Sequence, residues 1–324
     1  MKQFGTFSGV FVPSFEAILG AVLFLIIPTL VGGVGVVNML IIVALANTVT
    51  VATAFSIADS TTNLQSVGSG GMYAISKRSL GLAFGGSIGV QLYLAQTISI
   101  GFYAVGFAEP LQPIIASIPA VADLIAQHSL SVLVQKQLIA TAVALIAFTA
   151  AMIGADFISR IQLIIFVILS VSVAVILISP FFGFTWGGRL LFGATPNISG
   201  FGLAIGFWGA FTAFFPAVTG IDAGVGLSGQ LKDPRRSLSR GTFMAIAVTF
   251  VVYVLVTLVF GFIRVDLLRP VGGEYISTID LFRDAPLVPE ILLSGILFAT
   301  GSSALSYFMT SPRTVQALAQ DGLL

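Results

Sequence analysis

Glu16 and Asp222 are the side chains of this sequence best placed to do chemistry. Each is a carboxylate inside a long apolar run, with a proline before it and glycine close by. The first run reads Val10-Phe11-Val12-Pro13-Ser14-Phe15-Glu16-Ala17-Ile18-Leu19-Gly20. The second reads Phe214-Phe215-Pro216-Ala217-Val218-Thr219-Gly220-Ile221-Asp222-Ala223-Gly224. Proline removes a ladder hydrogen bond and glycine loosens the backbone, so both runs are expected to be interrupted helices with the carboxylates at the breaks. A carboxylate there can coordinate a cation, bind a substrate ammonium or carry a coupling proton. Ala299, Ser302 and Ser303 share one helix face at i, i+3 and i+4. The two hydroxyls are hard oxygen donors suited to an alkali cation, and the same small residues permit close helix packing. Asp59 is expected at the end of an apolar run, as an interfacial group.

Other chemistry is excluded or weak. There is no cysteine and a single histidine, His128, so neither a thiolate site nor a multi-histidine metal centre can form. Gly68-Ser69-Gly70-Gly71 lacks the Lys-Ser/Thr of a phosphate loop and reads as a tight turn or re-entrant segment. A membrane hydrolase using Glu16 and Asp222 as paired carboxylates lacks any recognisable protease motif. No cofactor is expected.

The elements that must position these residues are membrane helices. Of 324 residues, 57 % are hydrophobic and 8 % charged, with a net charge of +1; mean hydropathy is +1.07. Soluble domains are about one-quarter charged, so a soluble enzyme or nucleic-acid binder is excluded and the lipid bilayer is the expected surrounding. Uncharged runs of 19 to 42 residues separate the charges, and a bilayer core needs about 20 apolar residues per helix. Eight spans are predicted, at about 10–31, 35–62, 82–108, 135–154, 158–179, 202–229, 241–262 and 290–311. Continuous apolar runs exclude the alternation of a β-barrel. Spans 1 and 6 carry the two breaks, five apart, as an inverted repeat of five helices requires, and paired interrupted helices point to a site at the middle of the membrane.

Counting basic residues sets the orientation. With the N-terminus inside, the cytoplasmic side carries Lys2, Lys77, Arg78, Arg160, Lys232, Arg235, Arg236, Arg240 and Arg313. The outer side carries Lys136, Arg189, Arg264, Arg269 and Arg283. The expectation is a multi-pass protein of the cell membrane with a cytoplasmic N-terminus.

Longer blocks carry a family likeness. They begin with Gly5-Thr6-Phe7-Ser8-Gly9-Val10-Phe11-Val12-Pro13 and continue through Gly70-Gly71-Met72-Tyr73-Ala74-Ile75-Ser76-Lys77-Arg78-Ser79-Leu80-Gly81. Phe214-Phe215-Pro216-Ala217-Val218-Thr219-Gly220-Ile221, Ser228-Gly229-Gln230-Leu231-Lys232-Asp233-Pro234 and Pro312-Arg313-Thr314-Val315-Gln316-Ala317-Leu318-Ala319-Gln320-Asp321 complete it. In these blocks the chain resembles the cation-chloride cotransporters of the amino acid-polyamine-organocation superfamily. The resemblance implies an all-α polytopic protein with the LeuT-like inverted-repeat transporter fold. The whole chain, 1–324, would be one transmembrane transport domain, with a first repeat at about 5–180 and a partial second repeat at about 200–324. It also implies a chain truncated after helix 8.

The resemblance further implies a set of sites. Potassium or substrate would be held by Tyr103, Pro216 and Thr219, with Ala17 standing where the family has an asparagine and Ile18 supplying backbone. A sodium or proton site would use Ala299, Ser302 and Ser303, with backbone at Glu16 and Leu19. Chloride would be held by backbone N–H groups at Gly20, Ala21 and Val22, and at Gly220, Ile221 and Asp222, where half-helix starts suit anions. Asp222 is a poor neighbour for chloride. Alkali cations are the only metals this set would take. The expected activity is cation-chloride symport (potassium, sodium or both) by alternating access between spans 1 and 6. The alternative is an amino-acid or organic-cation permease, proton-coupled through Glu16 or Asp222. A non-transporting fragment or partner subunit is the third reading. The expected partners are inorganic ions or a small solute and, from the resemblance, a second copy in a homodimer.

Overall fold

The computed structural model describes residues 3–63, 70–182, 199–200, 203–204, 206–263 and 277–323. Lys2, Gly68, Ser69, Arg189, Arg264 and Arg269 lie outside the described residues. A turn of π-helix, Phe7–Phe11, leads into α1 (Val12–Ile18), followed by α2 (Ala21–Leu25) and α3 (Ile27–Asn63). Then come α4 (Gly71–Ala116), α5 (Pro119–His128), α6 (Val132–Ile153) and α7 (Ala155–Ile178). The second half has α8 (Phe207–Phe214), α9 (Ile221–Val225), α10 (Pro234–Gly261), α11 (Thr278–Leu281) and α12 (Val288–Gln320). Between α7 and α8, β1 (Ser199–Gly200) and β2 (Leu203–Ala204) form a small antiparallel pair.

Among the described residues, eight helical stretches are long and apolar enough to cross a membrane. They correspond one to one with the predicted spans, but several ends differ. Span 3 is predicted from 82, whereas α4 starts at Gly71 and breaks at Gly81, leaving a short helix before the span. Span 7 starts earlier because Asp233 caps α10, its side chain accepting the Arg236 N–H at 3.2 Å ahead of Pro234. Span 8 runs on to Gln320, past the Arg313 charge that ends the apolar run.

Burial ranks the spans. In Phe7–Leu25, 89 % of the most apolar stretch is buried, against 11 % for Val132–Ile153. Span 1 is therefore the centre of the molecule, and α6 turns most of its surface outward. α12 packs along α4 and α7 and reaches α6 and α1; α10 lies along α3 and the first turn. Phe7, Phe11 and Phe15 stack up one face of span 1 and meet Phe166 of α7 edge-on, at 5.0 Å for the Phe15–Phe166 pair. The principal core cluster joins α1, α2, α3 and α10 with the ends of α8 and α9.

Spans 1 and 6 are broken. α1 stops at Ile18, Leu19 and Gly20 are non-helical, and α2 restarts at Ala21. α8 gives way to a 3-10 turn at Phe215–Val218, Thr219 is extended, and Gly220 takes φ 102° before α9. Pro216 lies in its break, but Pro13 sits where the π-turn Phe7–Phe11 passes into α1, and the helix runs on through it to Ile18. The unwinding of span 1 is therefore at Leu19–Gly20, and Glu16 lies one turn before it rather than in it. Asp222 likewise lies past its break, in the first turn of α9.

Candidate functional site

The two breaks touch. A Cβ on Gly220 would lie 2.9 Å from Ala17 Cβ and 3.3 Å from the Ala17 carbonyl oxygen. Only glycine fits a left-handed φ against another backbone at that distance. Two hydroxyls hold the broken ends. Tyr253, fully buried on α10, donates to the Ile18 carbonyl at 2.6 Å and lies 3.3 Å from that of Ala217. Thr50 on α3 donates to the Val218 carbonyl at 3.0 Å. Carbonyls orphaned where helices stop are thereby satisfied away from water.

A cavity opens where the breaks meet α4. It is lined by Ala17, Ile18, Gly20, Ala21, Val22, Tyr103 and Pro216, with Phe102 and Ala217. Its volume of about 10 Å³ is what one water-sized body needs. The structure thus gathers at one place most of the residues that resemblance assigns to a cation or substrate and to an anion. Thr219 is not in this lining. Its hydroxyl is exposed and donates to the Pro216 carbonyl at 2.7 Å, so these two oxygens already share one proton. The amides of Gly20, Ala21 and Val22 open α2, and no side chain caps them.

The residues of span 8 form the next wall. Ala299, Ser302 and Ser303 are fully buried on α12. Ser302 Oγ donates to Glu16 Oε2, and Glu16 has no exposed surface. Glu16 Oε1 is buried without a hydrogen-bond partner. Ser303 donates to the Ala299 carbonyl at 2.9 Å and is also a hydrogen-bond partner of Tyr103. Leu19 is fully buried beside Glu16 and does not line the cavity.

Asp222 turns away from the cavity. Its Oδ1 accepts from the Tyr307 hydroxyl at 3.2 Å, and Gln96 also bonds it. Thr314 donates to Gln96 Oε1 at 3.1 Å, which leaves the Gln96 amide N–H for the aspartate. The carboxylate also lies by the backbone N–H groups of Asp222 and Ala223 that open α9, the latter donating to the Gly220 carbonyl at 3.1 Å. Tyr307 stacks on Tyr103 with ring centroids 5.7 Å apart. Tyr103 therefore contacts the cavity on one side and, through Ser303 and Tyr307, the carboxylate network on the other.

Among the described residues, Lys77–Asp321, Lys136–Glu109 at 2.6 Å and Arg283–Asp280 at 3.0 Å are ion pairs that lie away from these two carboxylates. A carboxylate as buried as Glu16, without a basic partner, requires a bound cation or a proton. Asp59 is exposed near the end of α3, and His128 is exposed at the end of α5. Gly70 and Gly71 begin α4 in left-handed conformations. Sequence reasoning missed Tyr253, Thr50, Gln96 and Tyr307. The available signal was an isolated polar side chain in an apolar run, such as Tyr253 in Phe250-Val251-Val252-Tyr253-Val254-Leu255.

The sequence of this multi-pass membrane protein matches a known family. Residues 9–324 fit the family model described as "Amino acid permease". The chain belongs to the amino acid permease family. Eight spans with the first and sixth interrupted agree with the LeuT-like fold of such permeases. The chain is 30 % identical over 355 residues to solute carrier family 12 member 9 of Danio rerio, covering 99 % of this chain and 38 % of that protein. It is 30 % identical over 341 residues to an uncharacterized transporter of Schizosaccharomyces pombe, covering 99 % and 31 %. Against solute carrier family 12 member 2 of Mus musculus it is 28 % identical over 365 residues, covering 99 % and 29 %. The permease chain thus spans about a third of the length of the curated relatives it matches.

Proposed function

We propose that this chain is the transport domain of a secondary active transporter that carries a monovalent inorganic cation with chloride by alternating access. One observation carries the reading: the cavity at the touching breaks has room for one water-sized body and is lined by backbone, Tyr103 and Pro216. A small cavity walled by backbone groups and one phenol suits a dehydrated monovalent ion held at carbonyl and amide groups. The amino-acid or organic-cation reading rests on Glu16 and Asp222, whose carboxylates bond Ser302 and Tyr307 and present nothing to an ammonium in the cavity. Tyr103 and Pro216 would face the cation, with the carbonyls of Ala17 and Ile18. Thr219 would join only after releasing Pro216. Glu16, Ser302 and Ser303, with backbone at Leu19 and Ala299, would form the coupling site for sodium or a proton. The amides of Gly20, Ala21 and Val22 would face chloride, as would those of Gly220 and Ile221.

In this reading the protein lies in the cell membrane with its N-terminus in the cytoplasm and works as a homodimer. The test is rubidium tracer uptake into liposomes containing the product of the complete gene, with external chloride and with gluconate in its place. Uptake that collapses without chloride is the expected result. Folded protein that takes up no rubidium in either medium overturns the reading and turns attention to amino acids under a pH gradient. Failure of those too would leave a partner subunit that transports nothing.

A further inference from the structure

A second cavity lies beside α12, one turn beyond the Glu16–Ser302 pair. It is bounded by Ser159 and Gln162 of α7, Ser306 of α12, Ala223 and Leu227 at α9, and Phe4. Its volume is again about 10 Å³, room for one water-sized body. Its three polar side chains are more than nine-tenths buried: Ser159 is 8 % exposed, Gln162 2 % and Ser306 4 %. Gln162 Nε2 donates to Ser306 Oγ at 2.8 Å. That bond spends one of the two amide N–H groups on Ser306, and the Gln162 carbonyl oxygen and the serine oxygens are the acceptors the cavity offers. Ser306 follows Ser302 by four residues on the same helix, so the two hydroxyls stand one above the other. Glu16 is bonded to Ser302 one turn away and Asp222 directly precedes the lining residue Ala223, and carboxyls so placed attract a cation and repel an anion. Phe4 closes the opposite side. Its N–H donates to the Gln230 carbonyl at 2.8 Å and its carbonyl accepts from the Lys232 N–H at 3.0 Å, which staples it over the cavity.

We infer that Ser159, Gln162 and Ser306 form a second monovalent-cation subsite, occupied between the Glu16–Ser302 site and the aqueous phase on the N-terminal side of the membrane. The inference rests on the transport reading above. Neutral oxygens suit a stopping point, because an ion must be held well enough to leave the first site and weakly enough to leave the second. Displacement of Phe4 opens the subsite to water.

The test uses the product of the complete gene in liposomes, with radioactive sodium and rubidium as probes and Gln162→Leu, Ser306→Ala and Ser159→Ala as variants. Thermal midpoints establish which variants are folded; if Gln162→Leu is not, the two alanine variants decide. The expected result is a maximal uptake rate reduced about tenfold, equivalent to about 1.4 kcal/mol on the barrier. The external concentration giving half-maximal uptake stays unchanged, because the outer site is intact. Wild-type transport with folded variants equally fast at saturation overturns the subsite alone and leaves a cavity that holds water. A wild-type protein that carries neither cation overturns the subsite and the transport reading together.

Discussion

The Tyr253 hydroxyl donates to the Ile18 carbonyl at 2.6 Å and reaches that of Ala217 at 3.3 Å, so one phenol on α10 spans the broken ends of spans 1 and 6. Resemblance gives the Ile18 carbonyl to the cargo cation. In this structure one of its lone pairs is already engaged, and Tyr253 sets its direction. Replacing Tyr253 by Phe removes the bond without opening a large void. A buried hydrogen bond contributes about 1 kcal/mol net, and an orphaned carbonyl costs about 1–3 kcal/mol. The expected outcome is a folded protein with a lowered thermal midpoint, and cation uptake that needs a higher concentration for half-saturation. Unchanged half-saturation would separate Tyr253 from the site.

Glu16 and Ser302 predict a different signature. The carboxyl is buried with one oxygen bonded to Ser302 and the other without a partner. Glu16→Gln keeps the shape and the Ser302 contact and removes the ability to take a charge. Uptake is expected to fall about tenfold, the effect of about 1.4 kcal/mol on a rate, and to stop responding to sodium and to an imposed pH gradient. Purified Glu16→Gln should melt no lower than the wild type, since the exchange relieves a desolvated carboxyl. A variant that still responds to either gradient would remove Glu16 from the coupling site.

Asp222 bears on chloride. Its carboxylate lies by the N–H groups of Asp222 and Ala223 at the start of α9, where resemblance puts an anion. The protein therefore carries an anion of its own there that competes with chloride at Gly220 and Ile221, whereas no side chain caps the amides of Gly20, Ala21 and Val22. Asp222→Met removes the tethered charge. Rubidium uptake by the variant is expected to depend more steeply on chloride, with the half-saturating concentration about tenfold lower, or about 1.4 kcal/mol tighter. A chloride curve that matches the wild type would count against this competition.

How much of this was legible beforehand divides by mechanism. The eight spans follow from uncharged runs because the bilayer imposes length and apolarity along the chain. The breaks follow from Pro216, Gly20 and Gly220, whose backbone effects are local. Pro13 misled because a helix can run through a proline, here with a π-turn just before it, without unwinding. Ser302 and Tyr307 reach Glu16 and Asp222 from α12, nearly three hundred and nearly a hundred residues away, and Gln96 reaches Asp222 from α4, so no local pattern announces them. Tyr253 and Gln96 are single polar side chains whose roles depend on which face the packing turns inward.

Asp321 gives a pH prediction at the other end of α12. Its carboxylate accepts from Lys77 and, at 2.6 Å, from the Tyr73 hydroxyl, which ties the end of α12 to the short helix before Gly81. The Lys77 and Tyr73 hydrogen bonds hold its carboxyl below the usual range. A depressed carboxyl contributes stability that is present above its unfolded value, about 3.9 for an aspartate, and is lost as pH falls through the folded value. The wild type should therefore melt above Asp321→Asn at neutral pH, with the gap closing below about pH 4. Added salt should narrow the gap at neutral pH, because the pair is partly exposed.

Gly220 is where the fold has no alternative. Its φ of 102° is open to few other residues, and a Cβ there would press on Ala17 within 2.9 to 3.3 Å, two of the three contacts being backbone. Strain of this kind costs about 1–3 kcal/mol before any clash, and relieving the clash would separate the breaks that enclose the cavity. Gly209 on α8 has no left-handed φ and nothing within 4 Å of its missing Cβ. Gly220→Ala is expected to lower the thermal midpoint and abolish cation uptake, whereas Gly209→Ala should leave both within experimental scatter. Equal behaviour of the two variants in melting and uptake would mean that the contact between the breaks does not hold the site together.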